Sequence, residues 1–457
     1  MIFDKVNSTI PAVVDEVYHL PQGLSYCKRN FTYWDKKITT LPGLYLVSLH
    51  ISPFFECNTY NLRFVNLVAS CVNFLLFSSM LLFIYGNYSE SPVKIVLQAL
   101  SLTILPPLYF FSHIYYTDTL SMTFLLAFTR LCFTNKTRIL MFIFGVASML
   151  MRQTNVAWIA MVVGHKALDV FIRSSRVFGN RYLSRTSLSR TSVIAKDIDV
   201  SKLKRYYGIS DAIISLKYHL STSFLTYIRF ITWQDWSELA THTLLLGSFI
   251  AFVVVNGGIV VGDKKAHEAT IHLPQLLYFL LFYGVFGLPY ALAKFASTLR
   301  LILANKTRAL AFALLFAGVV HFNTVVHPYL LADNRHYTFY IWNRWFGRYS
   351  YAPFAIIPVY VFLLFSLYDN LKDQNCVSFL LPYCLSTFLV LALQKMIEVR
   401  YFLVPYVILR LRFYRPSYSI VLAEFVWYLV LNALTFYVFF TKEVYWKDYD
   451  YAQRIIW

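Results

Sequence analysis

Charge is scarce in this chain. Only 14% of its 457 residues are Asp, Glu, Lys or Arg, whereas a soluble protein carries about a quarter; a water-soluble globular protein of this length is excluded. Period-two alternation is absent as well, which excludes a transmembrane β-barrel. The six cysteines contain no CxxC and no Cys/His zinc spacing, so a structural zinc module is not expected. Cys27, Cys57, Cys71, Cys132, Cys376 and Cys384 mostly lie in or beside apolar runs, as small buried hydrophobes do. Cys27 and Cys57 are in addition able to pair in an oxidising lumen. The first residues carry no signal-peptide pattern. No internal repeat stands out, which counts against a transporter built from inverted repeats.

What the chain does have is apolar surface. Hydrophobic residues make up 58% and aromatic rings 19% of it, and the mean hydropathy is +0.54. Runs approaching the roughly 20 residues needed to cross a bilayer recur along the whole length. They predict an all-α polytopic membrane protein with about 12 transmembrane or half-membrane helices. These fall near 62–86, 93–115, 119–134, 138–151, 153–172, 240–262, 274–296, 309–327, 351–369, 376–395, 400–410 and 419–441. Pro106 and Pro107 predict a break in the second run.

The net charge of +18 is explained by loop sidedness and needs no nucleic-acid surface. The segment 173–219 is serine-rich and holds ten Lys/Arg against three Asp, which marks it as cytoplasmic. The aromatic stretch 221–236 reads as an interfacial helix. Counting outward, NKTR at 135–138, STLRLILANKTR at 297–308 and RLRFYRP at 410–416 fall on the same side. The chain thus divides into a luminal head with the first luminal loop, 1–61, and a multi-span helical domain, 62–457, whose basic cytoplasmic loop is 173–239. Of the sequons, Asn7 and Asn30 lie in the luminal head; Asn87, Asn135 and Asn305 lie on the cytoplasmic side.

The opposite face gathers Asp15, Glu16, Asp118, Arg152, Asp333, Arg335, His336, Glu398 and Arg400. Ionisable groups at span ends pair, snorkel or line a cavity, so the set carries more weight than any member. Within it, HPYLLADNRHYTFYIWNR, 327–344, packs two arginines, two histidines, an aspartate and five aromatic rings. If 333–344 is helical, Asp333, Tyr337, Tyr340 and Arg344 share one face. If 13–20 is helical, Asp15 and His19 sit one turn apart and can hydrogen-bond. Nothing nearby supplies further metal ligands, so a carboxylate base is favoured over a metal site. Sugar transfer from a lipid phosphate needs these parts: a carboxylate to take the acceptor proton, and arginine forks to hold the departing phosphate.

DEVYHLPQ, ITTLPGLYLVS, YYTD, MRQTN, HPYLLADNRHYTFYIWNR and EVRYFLVPY, in this order over nearly the whole chain, resemble the dolichyl-phosphate-glucose α-1,2-glucosyltransferases of the endoplasmic reticulum. The resemblance implies a C-type glycosyltransferase fold and a luminal site in a multi-pass membrane protein. It also implies transfer of the third, terminal glucose from dolichyl-phosphate-glucose to Glc2Man9GlcNAc2-diphosphodolichol, by inverting single displacement without metal or other cofactor. Carried over, it makes Asp15 the base with Glu16 as second candidate. Arg335 and His336, then Arg400 and Arg152, would bind the donor phosphate. Asp333, Tyr337, Asp118 and Glu398 would complete the substrate site, the last two orienting arginines. The family's usual membrane helix before the DE motif is missing here, for MIFDKVNSTIPAVVDEV holds no apolar run of spanning length. Another dolichyl-phosphate-sugar transferase, a non-catalytic membrane relative and a transporter are the alternatives.

Overall fold

The computed structural model describes residues 2–85, 90–134, 138–168, 233–262, 270–372, 377–413 and 415–457. The expected cytoplasmic loop 173–219, most of the interfacial stretch 221–236, and the sequons at Asn87 and Asn135 lie outside the described residues. The chain is a helical membrane protein. Among the described residues, four helices are individually long and apolar enough to cross a bilayer: Thr59–Tyr85, Trp236–Asn256, Ala352–Leu371 and Tyr418–Thr441. A fifth candidate is the pair Phe295–Ala304 and Lys306–Asn323, bent by 95°. Shorter apolar helices among the described residues are Pro92–Thr103, Arg138–Met151, Pro274–Phe286 and Val377–Ala392.

Proline explains two of the interruptions. The run expected at 93–115 is two helices, α5 (Pro92–Thr103) and α6 (Pro106–Phe111). Pro106 and Pro107 lack the N–H that would continue α5, but are tolerated in the first turn of a new helix. Asn432 Nδ2 donates to the carbonyl of Ile104 left free at this break, at 2.7 Å. The run 274–296 breaks likewise after Phe286, where Gly287 and Pro289 intervene. There Trp427 Nε1 donates to Val285 O at 2.8 Å and Tyr428 Oη to Phe286 O at 2.9 Å. One helix, Tyr418–Thr441, therefore satisfies the freed backbone of two others, which is what makes broken helices tolerable in lipid.

The N-terminal 61 residues are folded. They form α1 (Ile2–Thr9), α2 (Glu16–Cys27) and α3 (Gly43–Ile51), which precede α4 (Thr59–Tyr85). A core of Leu20, Tyr26, Ile38, Leu44 and Tyr45 packs on Leu62, Ala69, Tyr115, Leu120 and Met151. It thereby seats the head on α4, α7 (Thr117–Thr134) and α8 (Arg138–Met151). The seat is close: a Cβ added at Gly43 would lie 2.6 Å from the Leu150 carbonyl oxygen. Cys27 and Cys57 are joined by a disulfide across the α3 excursion.

Candidate active site

Asp15 and Glu16 are consecutive, yet they face different surroundings. Glu16 is fully buried. Its Oε1 accepts Arg63 Nε at 2.9 Å and the Tyr115 amide at 2.6 Å; its Oε2 accepts Arg63 Nη2 at 2.7 Å and the Val13 amide at 2.9 Å. Arg63, also fully buried, donates onward to Ile10 O and Pro11 O. A carboxylate with both oxygens occupied by an ion pair and two amides has no lone pair to offer a substrate. In this geometry Glu16 acts as a structural clamp, which favours Asp15 of the two base candidates. Asp15, whose side chain is 41% exposed, keeps an accessible carboxylate.

The backbone holds Asp15 in place. Val14 adopts φ 44°, a left-handed conformation that a β-branched residue takes only when its surroundings enforce it. The Asp15 amide donates to the Tyr116 hydroxyl at 2.8 Å, and that hydroxyl donates to Val13 O at 3.1 Å. The helix starts at Glu16 with Asp15 as its cap residue. Asp15 and His19 are hydrogen-bonded through the backbone, His19 N–H to Asp15 O at 3.1 Å, while the His19 ring places Nδ1 2.6 Å from Tyr45 Oη.

Arg400 organises the charges around Asp15. It stands on the Val399–Phe402 turn and reaches Asp15 Oδ2 at 3.1 Å, Glu398 Oε2 at 2.7 Å and Asp118 Oδ2 at 3.8 Å. Asp118, in the first turn of α7, also pairs with Arg152. Arg152 lies in the break between α8 and the helix 155–168, with its guanidinium 5.7 Å from the Tyr401 ring centre. Asp118, Arg152, Arg400 and Tyr401 line the polar end of a cleft whose other wall includes Met122, Trp158, Leu403 and Val404. Burial alone would raise the Asp15 carboxyl. The positive charge of Arg400 outweighs it and holds Asp15 below the usual aspartate range. Burial pushes His19 down to about 4, so its ring is neutral at physiological pH.

The string 327–344 is not one helix. Pro328–Ala332 ends at Asp333, the chain extends through His336, and Tyr337–Ile341 runs into a π-turn at Trp342–Phe346. The shared face expected for Asp333, Tyr337, Tyr340 and Arg344 does not form. Asp333 instead turns the chain on itself, accepting the Arg335 amide at 3.0 Å and gripping the Arg335 guanidinium at 2.9 and 2.8 Å. Arg335 is buried, with the Trp446 ring centre 4.2 Å away. His336 is partly exposed, with Nε2 3.8 Å from Asp333 Oδ2. The Tyr337 hydroxyl is buried without a hydrogen-bond partner.

The structure therefore joins Asp15, Asp118, Arg152, Glu398 and Arg400 in one contact network. Arg335 sits behind, its fork occupied by Asp333. Sequence reasoning missed Arg63, although an arginine inside a spanning run must find a partner and is for that reason a signal. It also missed Tyr116 and Tyr401, two rings among many, and the C-terminal residues that hold the 327–344 string.

Fold and cleft define a helical membrane protein that presents a carboxylate and two arginines at the mouth of a partly apolar groove. The chain belongs to the DIE2/ALG10 family, whose model matches residues 10–411. A Drosophila melanogaster protein named Dol-P-Glc:Glc(2)Man(9)GlcNAc(2)-PP-Dol alpha-1,2-glucosyltransferase is 40% identical over 458 residues, covering 100% of this chain and 96% of the relative. A Homo sapiens protein of the same name is 36% identical, with 97% of this chain and 93% of the relative covered. An Arabidopsis thaliana protein, again of that name, is 30% identical over 99% of this chain and 96% of its own length. No solved structure matches.

Proposed function

We propose that this chain transfers the third, terminal glucose in α-1,2 linkage from dolichyl-phosphate-glucose to Glc2Man9GlcNAc2-diphosphodolichol, completing the precursor for protein N-glycosylation. The observation that carries this reading is the full-length similarity to relatives from animals and a plant that share this activity in their names. The open Asp15 beside Arg400 suits the chemistry. In this reading Asp15 takes the proton from the 2-hydroxyl of the acceptor glucose. The oxygen then attacks the anomeric carbon of the donor, and the bond to phosphate breaks with the electron pair leaving on dolichyl phosphate. A β-linked donor yields the α product in this single displacement.

Arg152 is the first choice for the departing phosphate. Arg400 is engaged by three carboxylates, whereas Arg152 makes its ion pair through Nη1 and is partly exposed at the cleft. His336 adds a second cation when protonated. Asp118 and Glu398 orient the two arginines. Arginine and histidine neutralise a single leaving phosphate, so the reaction as written uses no metal. The apolar wall of Met122, Trp158, Leu403 and Val404 would accept the first isoprene units.

The same reading includes a C-type glycosyltransferase fold of about 12 transmembrane or half-membrane helices. It also has the head, 1–61, supply the base and the membrane domain, 62–457, the arginines, with loop 173–239 in the cytoplasm. The site then faces the lumen of the endoplasmic reticulum. The Cys27–Cys57 disulfide supports that side, because such bonds persist in oxidising compartments.

The test supplies purified protein with dolichyl-phosphate-glucose and a diglucosylated lipid-linked acceptor, in parallel with dolichyl-phosphate-mannose. A triglucosylated product with a new α-1,2 linkage is expected from the glucose donor alone. Transfer of mannose, or of neither sugar, overturns the reading.

A further inference from the structure

The segment after the last long helix folds back onto the 327–344 string. Beyond Thr441 the chain pairs Glu443–Val444 with Gln453–Arg454 as a two-residue antiparallel hairpin. Its continuation runs beside residues 335–337: the Ile456 amide donates to Arg335 O at 2.8 Å, and the Tyr337 amide donates to Ile456 O at 3.1 Å. Ile456 is buried, and the Trp457 ring centre lies 4.9 Å from that of Tyr337 and 5.7 Å from that of Phe286. From the hairpin loop, Trp446 covers the Arg335 guanidinium at 4.2 Å and donates Nε1–H to Asn334 Oδ1 at 2.8 Å. The Tyr451 hydroxyl reaches Ala12 O at 3.3 Å, three residues before Asp15. The tail thus touches both the string and the loop carrying the candidate base.

One of these contacts bears on chemistry. His336 Nδ1 lies 3.1 Å from the Trp457 main-chain oxygen. That oxygen accepts, so Nδ1 is the donor and the ring is fixed with Nε2 turned away from the strap. That nitrogen is the one 3.8 Å from Asp333. The family match ends at residue 411, so it gives the tail no role.

We propose that residues 443–457 are a positioning strap. By pairing with Arg335–Tyr337, the strap holds His336 in one tautomer with Nε2 toward Asp333 and sets the affinity for the lipid-phosphate donor. This rests on the proposed transfer reaction for its kinetic part. Trp446 and Ile456 are positioning residues in this scheme; they act through Arg335 and His336.

Ile456→Pro removes the amide that bonds Arg335 O, Ile456→Val keeps it, and Trp446→Leu removes the ring from Arg335. Hydrogen exchange of the full-length proteins is followed over residues 329–345 and, as an internal control, over α4. Donor and acceptor kinetics are measured on the same samples. Ile456→Pro and Trp446→Leu should speed exchange at 335–337 but not in α4, and lower kcat/KM for dolichyl-phosphate-glucose by about 10²-fold. The acceptor KM should stay unchanged, and Ile456→Val should match wild type. Unchanged exchange at 335–337 overturns the strap, as does faster exchange with unaltered donor kinetics, or faster exchange in α4 to the same degree. If the wild type transfers no glucose, the transfer reading fails. The strap then stands if the two variants bind dolichyl-phosphate-glucose more weakly than wild type, and falls if they bind it equally.

Discussion

Glu16 and Arg63 form a fully buried ion pair through hydrogen bonds of 2.9 and 2.7 Å, joining the start of α2 to the first turns of α4. Removing either partner leaves the other charged and unsolvated, which costs about 3–5 kcal/mol. Glu16→Gln and Arg63→Met should therefore lower the unfolding midpoint of the purified protein strongly. The double variant should lose less than the sum of the two, because it leaves no uncompensated charge. Equal midpoints for Glu16→Gln and wild type would refute the clamp.

Asp15→Asn is expected to behave in the opposite way. The carboxylate is 41% exposed and its ion pair with Arg400 is one of several that Arg400 makes, so folding should be preserved. Turnover should fall by about 10²–10⁴, the usual contribution of a positioned general base. Retention of full turnover by Asp15→Asn, with a normal unfolding midpoint, would remove Asp15 from the chemistry.

The charge of Arg400 also sets a pH dependence. Asp15 works as a base only when deprotonated, and Arg400 overcomes burial to hold its carboxyl below the ordinary aspartate range. The wild-type acid limb of kcat/KM should therefore lie below that range. In Arg400→Gln burial is no longer opposed, so the limb of the residual activity should move to higher pH. Linkage has the same sign: the stability that the lowered Asp15 contributes is present above its unfolded-state value and is lost as pH falls through the folded value. An acid limb at one pH in both proteins would sever Asp15 from Arg400.

The two arginines Arg152 and Arg335 should separate by kinetics. Arg152 has guanidinium capacity beyond its ion pair with Asp118, so Arg152→Lys, which keeps the charge but loses the fork, should raise the KM for dolichyl-phosphate-glucose by about tenfold or more. Arg335 is gripped at both ends by Asp333 and covered by Trp446. Arg335→Met should lower the unfolding midpoint as well as activity. A pure donor-KM effect in Arg335→Met, with unchanged stability, would return the phosphate to Arg335.

Hydropathy and loop charge grouped Asp15, Asp118, Arg152 and Arg400, which the structure joins in one contact network, because desolvation cost sorts residues by depth before any packing is known. Partnership within that set was not legible. Glu16 and Asp15 are near-identical in a one-dimensional reading, and only Arg63, 47 positions away, tells them apart. Arg335 looked like a free phosphate fork because its partner Asp333 was read on a helix face. Asp333 caps an extended turn whose partner strand comes from residue 456, a pairing no local pattern encodes. Among the described residues four helices, or five counting the bent pair, are long and apolar enough to cross alone, because proline breaks divide runs such as 93–115 and 274–296 into shorter pieces.

The head carries its own check on sidedness. Asn30 is exposed, and its Oδ1 accepts from the Thr32 hydroxyl at 2.7 Å within the sequon NFT. Asn7 is half-buried, and its Oδ1 accepts Arg63 Nη1 at 3.3 Å. If the head faces the lumen, glycosidase treatment of the cellular protein should shift its mobility. Asn30→Gln should abolish that shift, while Asn7→Gln should not. Cys27 and Cys57 should be unreactive to maleimide until reduced. Replacing both with serine should cost about 3–4 kcal/mol, the chain-entropy value for closing a loop of this separation. A glycan on Asn305, expected on the opposite side, would invert the topology and move Asp15 to the cytoplasmic face.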